Sequence, residues 1–217
     1  MRIFIVLLIT WLCAGCVVAP VTSDVTVFHR LGASLEGSSF SFIALDGQQS
    51  LEHESYCQVV RSHLSAAGMH EAPSADQALY LIAIDYFIGA PIQRTGPMPV
   101  FGQTGVSGSS TTGTIQTYGN TSTVQTNTTY TPTYGVTGYV PISSMSYRRG
   151  FTLLMYDTKR VQAGDFKPSY EGKVASVGST GALPRVLPTL IEALFQEFPG
   201  ESGETRTEEL RCEACNR

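Results

Sequence analysis

Leu79-Tyr80-Leu81-Ile82-Ala83-Ile84-Asp85-Tyr86-Phe87 holds one charge in nine residues. A nearly continuous apolar run of this length predicts a central strand covered on both faces. Asp85 interrupts it near its end, where a strand approaches solvent.

Upstream, residues 50–67 predict a helix. Tyr56, Val60, Leu64 and Ala67 recur at near-helical spacing, with Leu51 and Cys57 beside that stripe. Ser50 is the expected N-cap, Glu52 and Glu54 occupy the first turn, and Gly68 is the expected stop. His53 and His63 fall on the flanks of this helix and read as surface residues. Before it, Val25-Thr26-Val27-Phe28 and Ser39-Phe40-Ser41-Phe42 predict two short strands, the second alternating as a half-buried strand does.

Downstream, residues 95–147 contain no charged residue over 53 positions, but hold fourteen Thr and eight Gly. Such a tract buries little apolar surface, which favours a flexible segment. The β-propensity of its Thr, Tyr and Val residues supports the other reading, a long polar hairpin. Residues 151–157 and 169–177 then predict a hairpin joined by a turn over 158–166. Leu183, Leu187, Leu190, Ile191, Leu194 and Phe198 mark one face of a C-terminal helix that Pro199-Gly200 stops. Beyond Gly200 come five Glu and three Arg with little apolar content, which reads as a flexible, charged tail over 201–217.

These elements predict an α+β domain over residues 25–200. The expectation is a two-layer sandwich: a mainly antiparallel sheet of four to five strands, two helices packed on one face, and the polar insert at 95–147.

The amino-terminal end carries a different signal. Arg2 precedes an apolar run over residues 3–12, then Ala14-Gly15 and Cys16. A run of ten residues suits an export signal, whereas a membrane span takes roughly twenty. Leu12-Cys13-Ala14-Gly15-Cys16 resembles the lipobox of bacterial lipoproteins, with Cys13 where that motif has Leu. The resemblance implies removal of residues 1–15, thioether lipidation of Cys16 and acylation of its new amino terminus. Residues 16–24 then form a tether, and the lipid bilayer is the first expected partner. Val17, in place of an Asp, implies outer-membrane rather than inner-membrane sorting.

The order of elements resembles a family of Gram-negative envelope lipoproteins of unknown function. The matching pieces are Ser39-Phe40-Ser41-Phe42, Gly68, Ala75-Asp76 before the central strand, Tyr170-Glu171-Gly172, and Phe198-Pro199. That family has Trp-x-Gly where this chain has Tyr170-Glu171-Gly172. The resemblance implies an α+β fold and no particular reaction.

The formal charge of −4 and the absence of any basic cluster longer than Arg148-Arg149 or Lys159-Arg160 exclude a nucleic-acid footprint. Three cysteines lie in the mature region. Either Cys212 and Cys215 pair and Cys57 is a buried thiol, or Cys57 pairs with one of the tail cysteines. No hydrolase elbow, zinc-protease motif or phosphate loop is present. His53 and Cys57 stand one helical turn apart without a second ligand pair, and Cys212-Glu213-Ala214-Cys215 lacks the strand–helix context of a redox site. No catalytic residue, metal or cofactor is therefore expected. Asp85, Asp157, Asp165 and Glu171 are the only carboxylates an enzyme reading could use.

The function expected is that of a membrane-anchored, non-enzymatic binding or assembly module, docking another envelope protein through residues 95–147. The alternative is a carrier or sensor of a small apolar ligand held between helices and sheet.

Overall fold

The computed structural model describes residues 20–32, 35–45 and 50–216. Cys16 and the segment read as an export signal lie outside the described residues. The chain divides into two compact units: Gln93–Met145, and the residues on either side of it.

The larger unit is built on one mixed sheet. Its strands are β1 (Pro20–His29), β2 (Ser39–Phe42), β3 (His70–Glu71), β4 (Tyr80–Ile88), β6 (Thr121–Asp157), β7 (Tyr170–Gly178) and β8 (Thr205–Arg211), and β5 (Ile92–Tyr118) pairs with β6. The order is β3-β2-β4-β6-β7-β1-β8. Strand β2 runs parallel to β3 and β4, while the β4/β6, β6/β7, β7/β1 and β1/β8 pairs are antiparallel.

This overturns the expected sandwich of four to five strands. The protein remains α+β, but its sheet has eight strands and is mixed. The short β3 and the insert strand β5 add two strands, and two further features account for the rest of the difference. Helix α1 (Leu51–Ala66) is a crossover that returns the chain parallel to β2, and the polar tail supplies β8. The tail's sequence Thr205-Arg206-Thr207-Glu208-Glu209-Leu210-Arg211 alternates half-buried and exposed residues, as an edge strand does. Arg206 holds it in place. Its Nη2 donates to the carbonyls of Ala193 and Leu194, at 3.2 and 3.1 Å, at the end of helix α3 (Leu183–Phe195). Cations there satisfy carbonyls that lack a helical partner. The segment read as a turn over 158–166 instead opens with a short helix, α2 (Thr158–Gln162), capped by Asp157, which accepts from the Arg160 N–H at 3.1 Å.

Local chemistry sets the long helices. Ser50 Oγ accepts from the His53 N–H at 3.1 Å to start α1, and Gly68 adopts φ +86° just past its end. In α3, Pro184 sits in the first turn, and Leu187, Leu190, Ile191 and Leu194 are fully buried. Each such side chain contributes roughly 1.5–3 kcal/mol relative to exposure. They pack over inward-facing residues of β1 and β7, including Val25, Val27, Tyr170 and Val174. The run Leu81-Ile82-Ala83-Ile84 is buried throughout, as a central strand requires. His53 lies inside this core rather than on its surface, 7% exposed, and His63 stacks on Phe195 with ring centroids 4.8 Å apart.

Candidate functional site

The uncharged stretch is extended chain. Strands β5 and β6 meet at Gly119-Asn120, with Gly119 at φ +61°. A two-residue turn with Gly first matches the twist of antiparallel strands. Thr117 and Ser122 bond through their hydroxyls at 3.0 Å, and Thr111 and Thr128 at 2.9 Å. Further along, Gly102 lies against the Thr137 side chain and Gly135 against Thr104. These pairs share one register.

Residues directly opposite in such a register share a face. One face of the unit therefore carries Pro97 with Ile142, Pro99 with Val140, Phe101 with Gly138, Gln103 with Val136, Gly105 with Tyr134, and Ile115 with Val124. The other carries Gly102 with Thr137, Thr104 with Gly135, Thr112 with Asn127, and Thr114 with Gln125, with Val100, Val106 and Tyr139 among them. On the first face Phe101 is 71% and Tyr134 73% exposed. The partners of β6 outside this hairpin, β4 and β7, engage it only over residues 147–157. Along residues 93–145 the outer edges of both strands are thus unpaired among the described residues.

The other residues singled out from the sequence are not gathered into one site. Cys212 and Cys215 are joined by a disulfide, with Cα atoms 5.4 Å apart, and Cys57 is the free, buried thiol. Burial pushes the Cys57 thiol up to about 11, away from the thiolate form. His53 faces Tyr86, ring centroids 6.1 Å apart, and burial lowers its pKa. No group of three metal-binding side chains occurs among the described residues.

The four carboxylates are each engaged locally. Asp85 Oδ1 accepts from the Tyr86 N–H at 2.9 Å, and Asp157 caps α2. Asp165 binds the Arg160 guanidinium at 2.6 Å, and Glu171 pairs with Lys173 at 2.5 Å. Asp85 stands opposite Thr152 on β6 and Asp157 opposite Tyr80, about 16 Å apart along the strand.

One residue escaped sequence reasoning. Arg149 is 3% exposed, and its Nη2 donates to Ser176 Oγ at 3.1 Å, which in turn donates to the Thr22 carbonyl at 2.7 Å. Its Nε has no partner, and burial lowers its pKa. A groove of about 610 Å3 opens beside it, lined also by Thr22, Asp24 and Phe87. In the sequence Arg149 is one half of a short basic pair, and only its place on β6 distinguishes it. A second groove, of about 560 Å3, lies over α1 beside His53 and Cys57.

The family model described as a domain of unknown function (DUF4136) matches residues 26–200. No curated protein matches the chain. Among solved structures it is similar to a PDZ domain protein from Parabacteroides distasonis, at 10% identity and a TM-score of 0.44. That match covers 88% of this chain and 40% of the other, so the chain spans well under half of that protein. It is also similar to the PelC dodecamer from Paraburkholderia phytofirmans. A variant form of PelC gives 13% identity and a TM-score of 0.37, covering 79% of this chain and 93% of the other. A second crystal form of PelC gives 12% and 0.34, covering 79% and 94%.

Proposed function

This chain belongs to the DUF4136 family, and from that premise we propose that it is a membrane-anchored lipoprotein of the cell envelope, acting as a non-enzymatic assembly module. The observation that carries this reading is the hairpin β5–β6: two long strands with unpaired edges and exposed apolar side chains. A two-stranded hairpin alone is marginally stable in water. Open edges are also ready templates for strand addition. A partner supplying backbone bonds to those edges gives this segment a reason to be extended and free of charge.

Cys16 supports the anchored half of the reading. Several acyl chains on one residue hold a protein firmly, since each buried methylene contributes roughly 0.8 kcal/mol. Sorting to the outer membrane, facing the periplasm, follows from Val17 by resemblance to lipoprotein signals. No helix among the described residues is long and apolar enough to cross a membrane.

Two measurements test it. Metabolic labelling with a palmitate analogue is expected to mark the native chain and not Cys16→Ser, and equal labelling of both refutes the anchor. Crosslinking followed by pull-down from membranes is expected to lose partners when residues 95–147 are excised. An unchanged partner set refutes the hairpin as the docking element.

A further inference from the structure

We propose that the partner at these edges is the same hairpin of further copies of this chain, closed into a β-barrel that crosses a lipid bilayer. The proposal deepens the assembly reading above and rests on it.

The first ground is charge. Hydrocarbon rejects ionised side chains, and residues 95–147 have none in 53 positions, while residues 201–217 carry eight. A strand pair bound for water has no physical need of such exclusion, because surface charge keeps exposed strands soluble and apart.

The second ground is the division between the faces. Transmembrane strands alternate an apolar side toward lipid with a polar side toward the lumen. Pro97, Pro99, Phe101, Tyr130, Tyr134, Val136, Val140 and Ile142 share one side here, interspersed with Gln103, Ser107 and Ser109. Over the same span the other side is mostly Thr and Gly, with Val106 among them and Met98, Val100, Tyr139 and Pro141 toward the open end. From the Pro97–Ile142 pair to the Ser109–Tyr130 pair, the chain rises about 40 Å at ~3.3 Å per residue. Tilted by roughly 40°, as barrel strands are, it spans about 30 Å, enough for an apolar band of about 25 Å.

The third ground is hydrogen bonding. Lipid offers no partner for backbone N–H and C=O groups, so a single hairpin with two open edges cannot enter it. Closure with neighbouring hairpins satisfies both edges at once. Small barrels have about eight strands, so at least about four copies are needed. In a hairpin with a two-residue turn, odd-numbered residues of β5 point their backbone groups outward. Pro97 and Pro99 on β5 and Pro132 on β6 each remove one outward donor, while Phe101 to Thr117 leaves an unbroken run along the β5 edge. The resulting lumen carries no charge and is lined mainly by Thr hydroxyls and Gly backbone, with apolar side chains toward its open end, a surface suited to uncharged polar solutes and with little selectivity between anions and cations.

The test uses the full chain, purified in detergent and reconstituted into vesicles of phosphatidylethanolamine and phosphatidylglycerol loaded with a small fluorescent dye. Single cysteines are placed at neighbouring positions, Thr133→Cys, Tyr134→Cys, Val136→Cys and Thr137→Cys, with Cys57→Ala as background. A membrane-impermeant maleimide is expected to label positions 133 and 137, and to label 134 and 136 about tenfold more slowly once in vesicles. Dye release and a crosslinked ladder of at least four subunits are expected alongside. Equal labelling of both faces, or vesicles that stay sealed, overturns the proposal, including the case of an oligomer that forms only in water. Because the vesicles receive purified protein, Cys16→Ser shows the same labelling pattern if the barrel is correct and the lipid anchor is not. The two readings therefore fail separately.

Discussion

Replacing Gly172 by Ala tests how closely α3 is seated on the sheet. Gly172 lies on β7 opposite Val27 and Leu153, beneath α3. A Cβ built there sits 2.7 Å from Leu194 Cδ1 and 2.8 Å from the Tyr170 hydroxyl. Neither neighbour has free space to withdraw into. Leu194 and Tyr170 are both fully buried, and the Tyr170 ring is packed against Phe198 at 5.2 Å and His29 at 6.1 Å. Overpacking a dense core costs about 1–3 kcal/mol, so Gly172→Ala is expected to lose about 2 kcal/mol. For a domain of this size that lowers Tm by about 4–8 °C. Thermal and urea unfolding followed by circular dichroism measure it, with Gly32→Ala as control, because nothing lies within 4 Å of a Cβ at Gly32. Leu194→Ala alone is expected to cost about 2–5 kcal/mol through the cavity it leaves. Combined with Gly172→Ala, it is expected to cost less than the sum, since the new methyl enters space that Leu194 vacated. A Gly172→Ala protein within about 0.5 kcal/mol of the parent, or a strictly additive double variant, refutes the close-seating argument.

Excising residues 95–145 and joining Arg94 to Ser146 by a short turn is expected to leave the Tm of the larger unit unchanged, because among the described residues the buried core draws nothing from 93–145; calorimetry decides it. Reducing the Cys212–Cys215 disulfide is expected to lower Tm modestly, by an amount equivalent to about 2 kcal/mol, because the closed loop is short, with a sequence separation of 3; a loss of the whole fold on reduction contradicts this. Stability is expected to fall as pH drops below 6.5. Burial holds the His53 and His63 imidazoles below that ordinary value, with Glu192 partly opposing it at His63. Above 6.5 both states are neutral, and below it the unfolded chain takes up protons that the folded one resists. Urea midpoints at several pH values measure the slope, and His53→Phe is expected to flatten it.

Local patterns carried much of the fold. Helix α1 begins at Ser50 and ends before Gly68 because a hydroxyl cap and a residue free to adopt positive φ act over four or five neighbours. The apolar run at 79–87 and the amphipathic stripe of α3 are legible for the same reason: periodicity records burial against a single core. The 3–10 turn at Glu213–Asn216 and strand β8 were not legible, because their residues are polar and the strand's stability comes from partners such as Val21 and Asp24, more than 180 positions away. The hairpin does carry one local signal. Tyr118-Gly119-Asn120-Thr121 between β-prone runs marks a tight turn, and that turn selects the extended form over the flexible one.

What the sequence by itself determined is chemical: a charge-free stretch of 53 residues and a short apolar run just ahead of Cys16. Only the tertiary structure decided that the stretch has an apolar and a polar face, since opposite residues share a face only once the register is known. It alone buried Arg149 beside Ser176 and Thr22, and turned a charged tail into the outermost strand of the sheet. Composition is a property of each residue alone, whereas a face, a buried charge and a sheet edge exist only between residues brought together by folding.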